Sequence, residues 1–221
     1  MIKLVMFDLD GTLVDSSVDI TNALNYAISP YDIEKLTVEK TVSMVGEGLT
    51  RLVEKLLGKD RGGILPDVME RFLHYYSGHL ADFTTPYPGV RETLEALSGC
   101  RKAVISNKRE FLSKRLLEDL DLSRYFDTIL GSDSVEERKP SPKPILRLLT
   151  TFSIRPEEAV IVGDSTYDIE AGRAAGVWTV AVSYGFRDVC LLRGADRIID
   201  NMEQLLSELP ELNAGSARER V

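Results

Sequence analysis

Short apolar runs that alternate with helical stretches confine this sequence to one class of fold. β-rich runs stand at 2–7, 102–106, 128–130, 159–162, 179–182 and 197–199, and helical patterns follow at 108–119, 142–152, 167–175 and 202–208. Strands alternating with helices in this way build a parallel, doubly wound sheet, so the expected class is α/β with a Rossmann-like parallel sheet core. One interval departs from the alternation. From 15 to 84 no strand pattern occurs, whereas Leu49, Leu52, Val53, Leu56 and Leu57 recur at helical spacing and Gly58 supplies a stop. Pro66 opens a second helix with Val68, Phe72, Leu73 and Tyr76 on one face, and Thr37 caps a third over 38–45. The expected organisation is therefore a core of 1–14 and 85–212, a helical insert at 15–84, and a polar tail at 213–221 without periodicity.

Composition narrows the partners. Among 221 residues, 35 Asp and Glu face 27 Lys and Arg, a formal charge of −8. Without a basic surplus to neutralise phosphates along a polymer, neither nucleic acid nor an anionic membrane is an expected partner. No run approaches the ~20 apolar residues of a membrane helix, and the apolar start is broken by Lys3 and stopped by Asp8. The two cysteines, Cys100 and Cys190, fit a reduced, cytoplasmic chain.

In an open parallel sheet, ligands bind at the carboxyl ends of the strands. The first run ends in Asp8-Leu9-Asp10-Gly11-Thr12, the second in Ser106-Asn107, and the fourth in Gly163-Asp164-Ser165, with Asp168 one turn further on. Each alone reads equally as a turn or a helix cap. Together they bring Asp8, Asp10 and Asp164 to one edge, where unpaired like charges repel by roughly 1–4 kcal/mol per pair at surface-like dielectric. A divalent cation relieves that repulsion, and oxygen donors without His or Cys point to Mg²⁺. His74 and His79, five residues apart, have a poor spacing for a metal and read as structural or surface residues, and Tyr75-Tyr76 reads as packing.

The sequence DLDGT at 8–12, SN at 106–107, the lysine of RKPSPKP at 138–144 and GDSTYDIEAGRAAG at 163–176 resemble, in order, the four motifs of the haloacid dehalogenase superfamily. The helical insert resembles that superfamily's cap. VGEGL at 45–49, PYPGV at 86–90 and SYGF at 183–186 are similar to its phosphoglycolate phosphatase branch. The resemblance implies that Asp8 is a nucleophile forming an aspartyl-phosphate and that Asp10 is the acid and then the base of the reaction. It implies that Lys139 neutralises Asp8 and the phosphate, and that Thr12, Ser106 and Asn107 bind phosphoryl oxygens. Mg²⁺ would be held by Asp8, the Asp10 carbonyl and Asp164, with Asp168 as a support or a weaker ligand. Arg138 and Lys143 read as solvated.

The expected activity is thus Mg²⁺-dependent hydrolysis of a small phosphomonoester, 2-phosphoglycolate foremost, by a monomer or homodimer. Gly46 and Gly48 would let backbone approach a small anionic substrate, and Arg51 is the candidate for its carboxylate, unless it pairs with Glu47 or Glu54 on its own helix. The enzyme alternatives are a pyrophosphatase and a β-phosphoglucomutase-like enzyme, since mutases share the acid at Asp10. A phospho-aspartate receiver is the non-enzyme alternative, but it needs neither a ~70-residue insert nor a second acid at Asp10.

Overall fold

The computed structural model describes residues 1–215. In chain order the first half runs β1 (Leu4–Phe7), β2 (Val14–Asp15), α1 (Ser17–Ile28), α2 (Val38–Met44), α3 (Leu49–Leu57), α4 (Leu65–Tyr76), β3 (Thr85–Pro86) and α5 (Val90–Ala96). The second half runs β4 (Arg101–Ile105), α6 (Glu110–Asp119), β5 (Thr128–Leu130), α7 (Lys143–Phe152), β6 (Ala159–Gly163), α8 (Thr166–Ala175), β7 (Trp178–Val182), β8 (Arg197–Ile199) and α9 (Leu205–Gly215).

Six strands form one parallel sheet in the order β5-β4-β1-β6-β7-β8. The chain leaves β1 toward β4 and β5, then crosses back to β6 on the other side of β1. The crevice between β1 and β6 is therefore the switch point, where ligands of such sheets bind. Every residue of β1 is buried, because both faces of the sheet are covered. Leu4 and Met6 pack with Ile145, Leu148 and Leu149 of α7 and Ala171 and Ala175 of α8. Val5 and Phe7 join the opposite core with Leu94 of α5, Leu116 and Leu117 of α6 and Leu205 of α9. That second core runs on without a break into the helical segment, through Ile20, Leu24, Leu52, Val53, Val68 and Phe72.

The helices before β3 follow local signals. Thr37 accepts from the Lys40 amide at 3.2 Å and starts α2, Pro66 sits in the first turn of α4, and Gly58, at a φ of 67°, ends α3. Two helices go beyond the sequence expectations, α1 and α5. For α1 the signal is Ile20, Ala23, Leu24, Ala27 and Ile28 at helical spacing, all of them buried. The other addition is the two-residue ribbon in which Val14 pairs with Pro86 and Asp15 with Thr85. A buried carboxylate braces it from the helical side, as Asp19 of α1 accepts from the Phe83 amide at 3.0 Å, the Thr84 amide at 2.8 Å and the Thr84 hydroxyl at 2.7 Å. At the far end α9 continues over 213–215, while 216–221, the rest of the expected tail, lie outside the described residues.

Candidate active site

Parallel register sets the site. Phe7 is aligned with Val104 of β4 and Val162 of β6, so the residues after these strands emerge along one edge. The Asp8 amide donates to the Val162 carbonyl at 2.9 Å, which holds Asp8 beside Asp164. Carboxylate oxygens of Asp8, Asp164 and Asp168 lie within 4.8 Å of one another. The Lys139 ammonium, buried in the loop before α7, stands 2.9 Å from Asp8 and 2.6 Å from Asp168. Asp168 is spoken for by the protein on both oxygens. Oδ1 takes Lys139, and Oδ2 takes the Ser165 hydroxyl at 2.6 Å and the Ser165 amide at 3.2 Å in a box that starts α8. Asp168 thus aims Lys139 at Asp8.

The charges in this cluster do not balance, with three carboxylates against one ammonium. Burial pushes the Asp8 carboxyl up, Lys139 opposes that, and Asp168 adds to it, leaving it at about 6. Burial, with the charges of Asp8 and Asp168, pushes Asp164 up to about 8, although the Phe186 amide donates to it at 2.7 Å. Burial alone would pull the Lys139 ammonium down, but Asp168 and Asp8 outweigh it and hold it above the usual lysine range. A crowded set of oxygen donors with surplus negative charge and no nitrogen or sulfur donor fits a hard divalent cation. Neither histidine belongs to the cluster, and His79 pairs with Asp82 at 2.7 Å.

Asp10 faces a different set of partners. Its Oδ1 accepts from the Ser16 hydroxyl at 2.5 Å and from the Lys108 ammonium at 2.6 Å. Lys108 also donates to the Tyr76 hydroxyl at 2.8 Å, and its own amide donates to Ser106 Oγ at 3.2 Å. Lys108 and the Tyr76 hydroxyl are thus functional candidates that the sequence reading omits. The available signal for Lys108 was its place directly after Ser106-Asn107, at the end of a strand.

One cavity joins these groups. Asp8, Asp10, Ser106, Asn107, Lys108 and Asp164 line its floor, and Gly46, Gly48, Leu49, Leu52, Phe72 and Tyr76 line the helical side, with Arg109 and Arg187 also on its wall. Asn107 is tied to both sides, since its Nδ2 donates to the Gly46 carbonyl at 2.8 Å and to the Lys139 carbonyl at 3.0 Å. Gly46 and Gly48 have φ values of 122° and 81°, a region that favours glycine. A Cβ at Gly48 would meet the Asn107 carbonyl oxygen at 2.8 Å, so this loop approaches the sheet edge as bare backbone. Arg187 anchors the same loop by donating to the Val42 carbonyl at 2.9 Å and to the Val45 carbonyl.

Four expected residues do not line the cavity: Lys139 and Asp168, which connect to it through Asp8, and Arg51 and Thr12, which stand apart. Arg51 is not brought to the site; its side chain is 58% exposed and pairs with Glu54 at 2.6 Å, one turn along α3. Thr12 is fully buried, and among the described residues its hydroxyl has no hydrogen-bond partner. Its carbonyl accepts from the Tyr184 hydroxyl at 2.9 Å. No helix among the described residues is long and apolar enough to cross a membrane.

Residues 5–182 match the model of the haloacid dehalogenase-like hydrolases. The chain is 42% identical over 186 residues to a phosphoglycolate phosphatase of Aquifex aeolicus, covering 83% of this chain and 86% of that protein. It is 40% identical over 211 residues to a phosphoglycolate phosphatase of Chromobacterium violaceum, covering 92% and 95%. The crystal structure of a predicted phosphoglycolate phosphatase from Haemophilus somnus superposes with a TM-score of 0.89 at 29% identity, covering 94% of this chain and 98% of that one.

Proposed function

The chain belongs to the haloacid dehalogenase-like hydrolases, and from that membership we propose that it is a Mg²⁺-dependent phosphatase that converts 2-phosphoglycolate to glycolate and phosphate. The observation that carries this reading is the pairing, in one cavity, of an Asp8 held by Lys139 with an Asp10 held by Lys108. One carboxylate is suited to attack and the other to proton transfer.

In the first step an Asp8 oxygen bonds to phosphorus as the bond from phosphorus to the glycolate oxygen breaks, and Asp10 supplies the proton that oxygen needs. In the second step Asp10 takes a proton from water, the water oxygen bonds to phosphorus, and the bond to Asp8 breaks. Lys139 opposes the repulsion between Asp8 and the substrate's phosphate, ~1 kcal/mol at 4 Å in water and several times more in a partly desolvated site. Ser106 and Asn107, which line the cavity, serve the phosphoryl oxygens. Asp8, Asp164 and the Asp10 carbonyl would hold Mg²⁺, which would supply positive charge to offset the repulsion between nucleophile and substrate. The helical segment acts as a cap that keeps water from the cavity. The free Cys100 and Cys190 support a cytoplasmic setting.

Relatives named for phosphoglycolate support that substrate, as do two arginines on the cavity wall, Arg109 and Arg187. A charge-assisted contact to the substrate carboxylate is worth ~1.5–3 kcal/mol, or roughly 10–100-fold. In a phosphate-release assay with Mg²⁺, kcat/KM for 2-phosphoglycolate should exceed that for pyrophosphate and glucose 1-phosphate by at least ~10-fold. Preference for either competitor would overturn the substrate assignment, and transfer of phosphate between sugars without release would identify a mutase.

Metal and pH are linked through the same carboxylates. A carboxylate whose folded pKa is raised weakens the fold as pH climbs from its ordinary value of 3.8 through the raised one, here about 6 for Asp8 and about 8 for Asp164. Without metal, these two groups should therefore cost stability progressively across that window. Mg²⁺ must displace their protons to bind, so the rise in Tm on adding saturating Mg²⁺ should grow between pH 5 and pH 8. Thermal denaturation with and without the ion checks this; an increment that is absent, or flat with pH, would count against the assigned ligands.

A further inference from the structure

We infer that Lys108 is a positioning residue that fixes the Asp10 carboxylate and ties it, through Tyr76, to the helical segment over the site. The inference rests on the reading of Asp10 as the acid of the reaction. Three parts of the chain meet at one nitrogen. Asp10 comes from the turn after β1, Lys108 from the turn between β4 and α6, and Tyr76 from the last residue of α4.

The side chain of Lys108 is only 7% exposed, and an ammonium withdrawn from water requires partners for its charge and its protons. It has three: Asp10 at 2.6 Å, the Tyr76 hydroxyl at 2.8 Å, and the Tyr76 ring with its centroid 5.0 Å away. The direction of the restraint is specific. Lys108 and Ser16 both donate to Oδ1 of Asp10, so they leave Oδ2 as the oxygen to meet a leaving group. The turn that delivers Lys108 also delivers Ser106, because the Lys108 amide donates to Ser106 Oγ. One turn therefore serves two purposes, with its first residue beside the proposed phosphate position and its third beside the acid.

A purely structural ion pair has no need of a cavity wall, yet Asp10, Lys108 and Tyr76 all line it. An ammonium for the phosphate is already supplied, since Lys139 stands at Asp8. The role left to Lys108 is orientation. Because one of its partners rides on α4, the acid is held fully only while the helical segment is docked.

Positioning an acid matters in proportion to how poor the leaving group is. The test measures single-turnover release of glycolate from 2-phosphoglycolate and of p-nitrophenolate from p-nitrophenyl phosphate, whose leaving group departs without a proton. Lys108→Met should slow glycolate release ~100-fold and p-nitrophenolate release less than ~5-fold. Tyr76→Phe, which deletes only a hydroxyl and keeps the packing, should slow glycolate release several-fold and leave p-nitrophenolate release nearly untouched. Equal losses on the two substrates would overturn the inference, as would a rise in KM for 2-phosphoglycolate at unchanged rate, the mark of an ammonium that binds the substrate. Asp10→Asn in the same assay separates the two levels. If it splits the substrates and Lys108→Met does not, only the inference falls; if it fails to split them, the acid role falls and takes the inference with it.

Discussion

Replacement of Asp8 by Asn should abolish phosphate release from both 2-phosphoglycolate and p-nitrophenyl phosphate, a loss of ~10⁴-fold or more in kcat. The amide keeps the shape of the side chain but cannot form the bond to phosphorus. Its fold should survive, for an electrostatic reason visible in the cluster. Asp8 is one of three carboxylates whose oxygens crowd within 4.8 Å, and Lys139 retains Asp168 at 2.6 Å when Asp8 is neutralised. At pH 8, above the value of about 6 to which Asp8 is raised, the substitution removes a charge that repels Asp164 and Asp168. The metal-free variant should therefore melt at or above the temperature of the metal-free wild type. A cooperative melt with no phosphate release is the expected pair of results; substantial release from either substrate would remove Asp8 from the role of nucleophile.

Asp10→Asn should give a different pattern, because Asp10 is assigned work in both steps. Glycolate release should fall by ~10²–10⁴-fold for want of a proton donor. Phosphorylation by p-nitrophenyl phosphate should continue, since nitrophenolate leaves unaided, but the resulting aspartyl-phosphate has lost the base that activates water. Stopped-flow absorbance should then show a burst of p-nitrophenolate equal to the enzyme concentration, followed by a slow phase. A variant that turns over 2-phosphoglycolate like wild type would refute the acid and base assignments. One that shows no burst would place Asp10 in the attack step instead.

What the sequence disclosed and what it withheld divide along the range of the interactions. Leu4 to Phe7, Ala103 to Ile105 and Ala159 to Gly163 are buried strands whose apolar runs can be read locally, and the polar residues that follow them, Asp8, Ser106-Asn107 and Asp164, come at fixed offsets. Helical spacing likewise places Leu52 and Val53 of α3 in the core, but it did not decide between a substrate carboxylate and Glu54 as the partner of Arg51, which pairs with Glu54 and does not line the cavity. Lys108 could not be read in this way. A lysine at the start of a helical pattern looks solvated, and its burial depends on Asp10, 98 positions away, and on Tyr76, 32 positions away. Periodicity showed that Tyr76 is buried, but it carries no information on where a buried hydroxyl points. Arg187 was hidden for the same reason, since its partners are carbonyls at the end of α2, among them Val42, 145 positions upstream. The β2–β3 ribbon is two residues long on each side, too short for any pattern to mark.

That ribbon bears on how such chains diversify. Because Val14 pairs with Pro86, the polypeptide departs from the core and returns to it at neighbouring points. Nothing in the β5-β4-β1-β6-β7-β8 order requires a particular length or sequence between them. Insertions or wholesale exchange of the intervening stretch can therefore be inherited without disturbing strand register, while Asp8, Lys139 and Asp164 stay where the sheet puts them. The sheet edge that carries Asp8, Lys139 and Asp164 and the stretch between the two ribbon strands thus meet along the chain at a two-residue seam.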